Sequence, residues 1–352
     1  MTKAVLEKSA ARHIFIPKRV FIEPAALHYE LGQHLRDYFS AEGIPVTVTG
    51  SHNRIVGIPG KTPQEGFFEA KRTLVIGVRK GKEFQTCKPS AHYQLPLVTS
   101  CPGKCEYCYL LTNLGKKPYL RIYVNLDEIL SRASDYIQEH LPRETIFEGA
   151  ATSDPIPVER YTGALKQAIE FFGQQEHARF RFVTKFTDID SLLEAKHHGR
   201  TRFRFSLNTD YVITKFEHDT PSMTERVAAA SKVARAGYPL GFLVAPIMIY
   251  AGWQQGYSEL FAELDRVLDP LSRKDLTFEL ITHRFTRRAK NNIQEIFPKS
   301  QLDMNEEYRQ FKYGQFGYGK YIYPKESMSE VKVHLENLLN RYFPEAKVEY
   351  LV

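Results

Sequence analysis

Cysteine is scarce in this chain, 4 in 352 residues, too few for the disulfide lattice that holds small secreted domains together. Long apolar runs are missing as well. No stretch reaches the roughly 18–20 apolar residues that cross a bilayer, and the opening MTKAVLEKSAARHIF lacks the apolar segment of a secretory leader. A cytoplasmic protein without a membrane partner is expected. Acidic residues are in deficit, 41 against 48 Lys and Arg, which leaves a formal charge of +7 and a pI near 9.0. Such a balance favours a polyanionic partner. Repeats and low-complexity segments are absent, and at this length the chain can bury one large core or two.

What the chain does have is alternation. RVFIEP, the amphipathic ALHYELGQHLRDYFSA, IPVTVTG and RTLVIGVRK read as strand, helix, strand and strand. They make a small N-terminal α/β extension over residues 1–90, whose first twelve residues are expected to fray. From residue 91 the β-rich runs YQLPLV, TIFEGA, FRFVTK, FRFSLN, GFLVAPIM and LTFELIT alternate with helical stretches. Asn125 with Glu128, and Ser222 with Glu225, have capping-box spacing, and Gly237 is placed to close the second of these helices. Alternation of this kind implies a parallel sheet with helical crossovers, and residues 91–285 fit a partial (β/α)6 TIM-like barrel better than a full eight-unit one. Residues 286–352 change character. There YRQFKYGQFGYGKYIYPKES reads as a β-hairpin, and SMSEVKVHLENLLNRYF as a helix opened by Ser327 and Glu330.

Three of the four cysteines, Cys101, Cys105 and Cys108, stand in TSCPGKCEYCYL with the spacing Cys-x3-Cys-x2-Cys. The loop follows YQLPLV, so it begins where the first barrel strand ends, the side of such folds that carries chemistry. Structural zinc takes four ligands, usually from paired Cys or Cys/His arms. A cubane iron–sulfur cluster held by three thiolates instead leaves one iron open to a further ligand. A zinc-stabilised nucleic-acid-binding protein is the alternative outside enzymology. Cys87, apart in QTCKPSAHYQ, reads as an ordinary packed thiol.

The spacing, with an aromatic residue before the last cysteine, resembles the signature of the radical S-adenosylmethionine (SAM) superfamily. Wider stretches narrow it: CKPSAHYQLPLVTSCPGKCEYCYL, FEGAATSDPIPVE and THRFT together resemble the spore photoproduct lyase family, DNA-repair enzymes of spore-forming bacteria, from about Ile14 to the C-terminus. The resemblance implies a partial barrel of the radical SAM type, a [4Fe–4S] cluster on Cys101, Cys105 and Cys108, and SAM on the open iron. It implies a lyase reaction in which a 5′-deoxyadenosyl radical removes a hydrogen atom from C6 of 5-thyminyl-5,6-dihydrothymine, the methylene bridge breaks, and two thymines are restored. Double-stranded DNA bearing that lesion, an electron donor such as flavodoxin or ferredoxin, a monomeric state and the spore core follow from the same resemblance. Tyr107 and Tyr109 match tyrosines that relay the radical so that SAM is regenerated.

One position departs from the family. Its hydrogen-donating cysteine stands immediately before Thr-Ser-Asp, where this chain has Ala151. Alanine has no S–H to give, so the chain reads as a variant with its donor replaced, impaired in turnover after the first abstraction. Another radical SAM activity on a protein or small molecule is the competing enzyme reading, and the lack of a second cysteine set disfavours sulfur insertion.

SAM carries a carboxylate, an amine, a ribose and an adenine, which call for a cation or hydroxyl and for backbone polar groups. The strand ends supply Ser153, Lys185, Ser206, Asn208 and the backbone of Ala245. DNA phosphates call for cations, and an extruded lesion for stacking and base-edge contacts. His283 and Arg284 follow the sixth strand, and FKYGQFGYGKYIY interleaves Lys312 and Lys320 with Tyr313, Phe316, Tyr318 and Tyr321. A hairpin of that composition suits a wedge that enters a duplex beside flipped bases.

Overall fold

Short apolar runs form the expected N-terminal strands. In the computed structural model, which describes residues 13–273, 275–313 and 319–352, Arg19–Ile22 lies between Val46–Val48 and Thr73–Gly77, all parallel. Thr73–Gly77 is buried along its whole length, as a parallel strand covered on both faces must be. The sheet goes on through Leu120–Tyr123 in parallel to Val98–Thr99 in antiparallel pairing. That last pairing corrects the reading of YQLPLV as one strand: Ala91–Gln94 belongs to a different sheet from Val98–Thr99. Pro96 between them has no N–H to continue a ladder.

The chain divides into two units, one running to Gly103 and from Leu114 to Arg202, the other comprising Lys104–Asn113 and Phe203–Val352. In the first, Ala91–Gln94, Thr145–Glu148 and Ala178–Thr184 pair in parallel. In the second, Thr201–Leu207, Leu240–Ile247 and Thr277–Thr282 do the same, and Lys347–Leu351 adds a parallel strand that the sequence reading did not contain. The expected βα alternation is therefore present. Each set packs on phenylalanines: Phe172 stacks on Phe180 at 5.0 Å, and Phe261 on Phe278 at 5.5 Å. Such a side chain, fully buried, contributes roughly 1.5–3 kcal/mol.

Helix punctuation was only partly as expected. Ser222 and Glu225 form a reciprocal capping box on helix Met223–Arg235, and Gly237 has φ 86°. Asn125 does not cap helix Leu126–His140. Its amide instead takes Arg79 N at 2.8 Å and donates to Arg79 O at 3.0 Å and Glu128 Oε2 at 2.8 Å, tying a neighbouring loop down. A capping box on helix Pro63–Ala70, from Thr62 and Glu65, was not anticipated. Gln310–Tyr313 and Gly319–Ile322 form the expected antiparallel hairpin. The final helix, Lys325–Tyr342, starts directly after Pro324, so Ser327 lies inside it instead of opening it. Among the described residues no helix is long and apolar enough to cross a membrane.

Candidate active site

The turn into the cysteine loop is made at Ser100, whose φ of 70° is rare for a residue with a side chain. The geometry is held by three bonds: Ser100 N donates to Thr152 O at 2.9 Å, its carbonyl accepts from Asp154 N at 3.3 Å, and its hydroxyl donates to Pro118 O at 2.7 Å. Ser100 and Ser153 form an isolated parallel bridge. The residue before Cys101 is thus stitched to the segment Ala151–Asp154, so two stretches far apart in sequence meet. Lys71, buried, donates to Cys101 O at 2.7 Å, and Gly103 N donates to Cys101 Sγ at 3.3 Å.

The rest of the loop is gripped by a second set of partners. Lys104–Cys105 pairs antiparallel with Glu217–His218, and Glu106 N donates to Phe216 O at 2.9 Å. Lys104 donates to Asp219, Ser300 Oγ donates to Glu106, and His218 Nε2 lies 2.7 Å from Glu106 Oε1. The Tyr107 hydroxyl donates to Glu217. Glu217 also meets Arg226 at 2.6 Å, with both side chains 0% exposed, and Arg226 donates further to Pro221 O, Ser206 O and Thr220 Oγ1. Burial, reinforced by the Glu217 carboxylate, pushes the Tyr107 phenol well above its usual pKa. Cys105 is buried, Cys108 half-buried and Tyr109 54% exposed.

None of the four cysteines is in a disulfide. Among the described residues no three His, Cys, Asp or Glu side chains are gathered into a group that could hold a metal ion. Three thiols on one short loop, one of them with an N–H on its sulfur, are nevertheless the donor chemistry an iron–sulfur cluster uses.

At the strand ends of the first unit, buried Asp154 accepts from Thr184 Oγ1 at 2.8 Å, Lys185 N at 2.9 Å and Ile156 N at 3.3 Å. Burial outweighs these bonds and pushes its pKa up to about 6. The carboxyl therefore fixes the backbone beside both Ser153 and Lys185. Ser153 Oγ is buried with no hydrogen-bond partner, a state that native hydroxyls rarely keep without a bound group to satisfy them. In the second unit, Ser206 gives its carbonyl to Arg226, and Ala245 falls where the ladder between Leu240–Ile247 and Thr277–Thr282 is interrupted. Asn208 is fully buried, donates to Pro246 O at 2.7 Å and accepts from Tyr257 OH at 3.1 Å and Thr209 N at 3.0 Å, so its amide braces the strand ends.

His283 is buried against Arg309, whose guanidinium donates to its carbonyl at 3.0 Å, and burial with that neighbouring charge pushes its pKa down to about 3. Arg284 is exposed. Lys312 stands directly opposite Lys320 in the hairpin, and the Lys320 pKa is lowered by burial and then by the charges of Arg284 and Lys312. The hairpin is rooted by Tyr321, which exchanges backbone hydrogen bonds with Phe285 at 2.8 and 3.1 Å and stacks on its ring. Tyr313 is 75% exposed. Phe316 and Tyr318 lie outside the described residues. Sequence reasoning missed Lys71, Asp154, Glu217 and Arg226. Of these only Asp154 carried a signal, its place in a quoted motif.

The comparisons with known proteins agree with one another. The spore photoproduct lyase family model matches residues 15–352. Curated spore photoproduct lyases of Bacillus subtilis (strain 168) and of a Geobacillus species are each 51% identical over 336 residues, 96% of this chain and 98% of theirs. Among solved structures, a spore photoproduct lyase complexed with dinucleoside spore photoproduct aligns with TM-score 0.93 at 50% identity, covering 96% of this chain and 99% of that one. A double mutant of spore photoproduct lyase, cysteine to alanine and serine to cysteine, with bound AdoMet and dinucleoside spore photoproduct, aligns equally well. The fold is the mixed α/β partial barrel of these structures, as the alternation of strands and helices implied. Since the family model spans all but the first residues and the relatives match at half identity along nearly their whole length, the chain belongs to the spore photoproduct lyase family.

Proposed function

We propose that the chain repairs spore photoproduct in double-stranded DNA with a [4Fe–4S] cluster on Cys101, Cys105 and Cys108 and with SAM beside it. The observation that carries this reading is the stitching of Ser100 to the Ala151–Asp154 segment, which sets a buried, unsatisfied Ser153 hydroxyl next to the cysteine loop. When bound, the cluster and SAM supply the one-electron chemistry that generates a carbon radical able to take the C6 hydrogen of the lesion. A relative solved with AdoMet and the dinucleoside lesion supports both ligands.

The chain's own residues then bind and orient. Ser153 and Lys185 take the SAM carboxylate, and Ser206 and the Ala245 backbone take ribose and adenine. Gly103 N, on the Cys101 sulfur, and Lys71, on the Cys101 carbonyl, hold the first ligand in place. Tyr107, its proton directed at Glu217, and the more exposed Tyr109 return the radical. On the DNA side, Arg284, Lys312 and Lys320 take phosphates, and Tyr313 stacks on a base, with Phe316 and Tyr318 completing the wedge. Lys320, lowered by burial and then by the charges of Arg284 and Lys312, is relieved by a polyanion. The lesion is flipped out, since bridged thymines cannot reach strand ends while stacked. A flavodoxin or ferredoxin supplies the electron, the protein acts as a monomer, and it resides in the spore core.

The hydrogen return is the step this chain must make differently, because Ala151 has no thiol. In the double mutant solved with AdoMet and lesion, the alanine follows the introduced cysteine by as many residues as Ala151 follows Cys87 here. The test of the overall function is anaerobic incubation with SAM, dithionite and dinucleotide spore photoproduct, with products read by mass. Lesion loss that requires SAM and iron is expected. Untouched lesion, or a colourless protein with stoichiometric zinc, overturns the reading.

A further inference from the structure

Arginines across this chain meet carboxylates: Arg19 meets Glu69, Arg160 Asp188, Arg204 Glu279 and Arg226 Glu217. Among the described residues, Arg79 and Arg121 in the N-terminal sheet do not. Arg121 donates to Asn53 Oδ1 at 3.1 Å and to Tyr119 OH at 3.3 Å, and Arg79 donates to Glu83 O at 3.1 Å. These acceptors are neutral, and the Nε of each arginine is buried with no hydrogen-bond partner. Buried donors rarely stay so without a bound group to satisfy them.

The sheet brings the two arginines together. Arg121 and Tyr123 alternate along Leu120–Tyr123 and so project from one face. Gly77 is the direct partner of Tyr123 and leads two residues on to Arg79. The Arg79 guanidinium lies 6.0 Å from the centroid of the Tyr123 ring, and His52, 2.6 Å from the Glu23 carboxylate, meets the same ring edge-on at 5.8 Å. Burial would raise the Tyr123 phenol, but the charge of Arg121, hydrogen bonds from Thr99 and Arg121, and the charge of Arg79 hold it below its usual pKa. Positive potential is therefore concentrated there. The place is also one that the topology favours. The chain runs from Arg19–Ile22 outward to Val46–Val48 and back across to Thr73–Gly77, and open α/β sheets take ligands at the carboxyl ends of strands where such a path reverses. Glu23, His52 and Arg79 follow those three ends.

From this arrangement we infer that Arg79 and Arg121 form an oxyanion site that holds a backbone phosphate of the DNA strand, a contact in addition to the hairpin. The inference deepens the proposed repair function and rests on it. Guanidinium forks match phosphate oxygens. The loops that leave these strands add exposed Arg54, Lys80 and Lys82, while the Glu23 carboxylate is already engaged by His52 and Lys80. EPAALHY, which follows the first strand, has no glycine with which to cradle the pyrophosphate of a nucleotide, so a strand backbone fits the site better than a free nucleotide.

Binding of a fluorescent duplex across a range of salt tests this. Arg79→Gln combined with Arg121→Gln should lose about tenfold in affinity at moderate salt, and the slope of log K against log salt should shrink by about 1, as for one shared phosphate. Arg132→Gln combined with Arg160→Gln removes the same charge from carboxylate-paired positions and should leave the slope as it is. Arg79→Lys combined with Arg121→Lys should keep most of the slope, and the Tm of the free glutamine variant should not fall, because two like charges are removed. A parental slope in the glutamine variant overturns the inference, and so does an equal loss in the Arg132 and Arg160 control. A rise in parent Tm with inorganic phosphate that the glutamine variant lacks, beside an unchanged duplex slope, assigns the site to a free anion and overturns it as well. Consumption of dinucleoside lesion, which has no strand backbone, should proceed in the glutamine variant at the parent rate. Its absence in the parent would instead reject the repair function, so the two failures are distinguishable.

Discussion

The cysteine loop from Lys104 to Cys108 and the hairpin from Gln310 to Ile322 belong to the same unit and are built on opposite principles. In the loop, polar side chains meet partners of opposite charge, and the chain ends at a fully buried ion pair of Glu217 and Arg226. In the hairpin, a lysine faces a lysine across the strands and an aromatic ring stands in solvent. Opposed like charges destabilise a hairpin, so such an arrangement costs the isolated protein stability. The loop is braced by its own chain, whereas the hairpin leaves its charges opposed.

The largest effect that could break this contrast lies at Glu217. Replacing it by Gln leaves the Arg226 guanidinium buried with no countercharge, at a cost of about 3–5 kcal/mol. Thermal unfolding should show a large fall in Tm together with loss of iron on purification. An unchanged Tm would remove the claim that the loop is held from behind. Tyr107→Phe is the next step down. It deletes one hydrogen bond to a carboxylate and should cost about 1.5–3 kcal/mol, while Tyr109→Phe, at an exposed position two residues along, should stay within about 0.5 kcal/mol. Equal effects of the two would mean that Tyr107 is not anchored as described.

On the hairpin the expectation reverses. Lys312→Ala combined with Lys320→Ala should leave Tm unchanged or slightly raised. Affinity for lesion duplex should fall about tenfold at moderate salt, and the slope of log K against log salt should shrink by about 2. A protein that loses stability but keeps its salt slope would place these lysines in the scaffold and not at the phosphates.

The two regions also differ in how far the sequence exposes them. The cysteine spacing, the Ser222–Glu225 capping box and the six strand runs are local patterns, and short-range periodicity or spacing suffices to find them. The grip on Tyr107 comes from Glu217, 110 residues away, and no local feature marks that glutamate. The partners of Asn208 and His283 are hidden from the sequence for a related reason. An amide or imidazole at a strand end reads the same whether it points toward a ligand or into the scaffold, and only the tertiary partners Pro246, Tyr257 and Arg309 decide. YQLPLV misled because apolar content outweighed Pro96.

His283 gives an effect that is small near neutral pH and places the root of the hairpin on the loop's side of the comparison. Its pKa falls from 6.5 to about 3 on folding, by burial first and by the Arg309 charge second. Below pH 6.5 the unfolded chain therefore binds a proton that the folded one refuses. The contribution to stability is complete above that pH and is lost progressively as pH falls toward 3. Between pH 7 and pH 6 the loss is only about 0.7 kcal/mol, and it steepens to about 1.4 kcal/mol per unit at lower pH. Urea unfolding of the parent and of His283→Gln across this range should show a shallower acid decline in the variant. Parallel curves would mean that the ring protonates while folded, which would return His283 to the set of cations available to DNA and move the boundary between scaffold and interface from the root of the hairpin into the barrel.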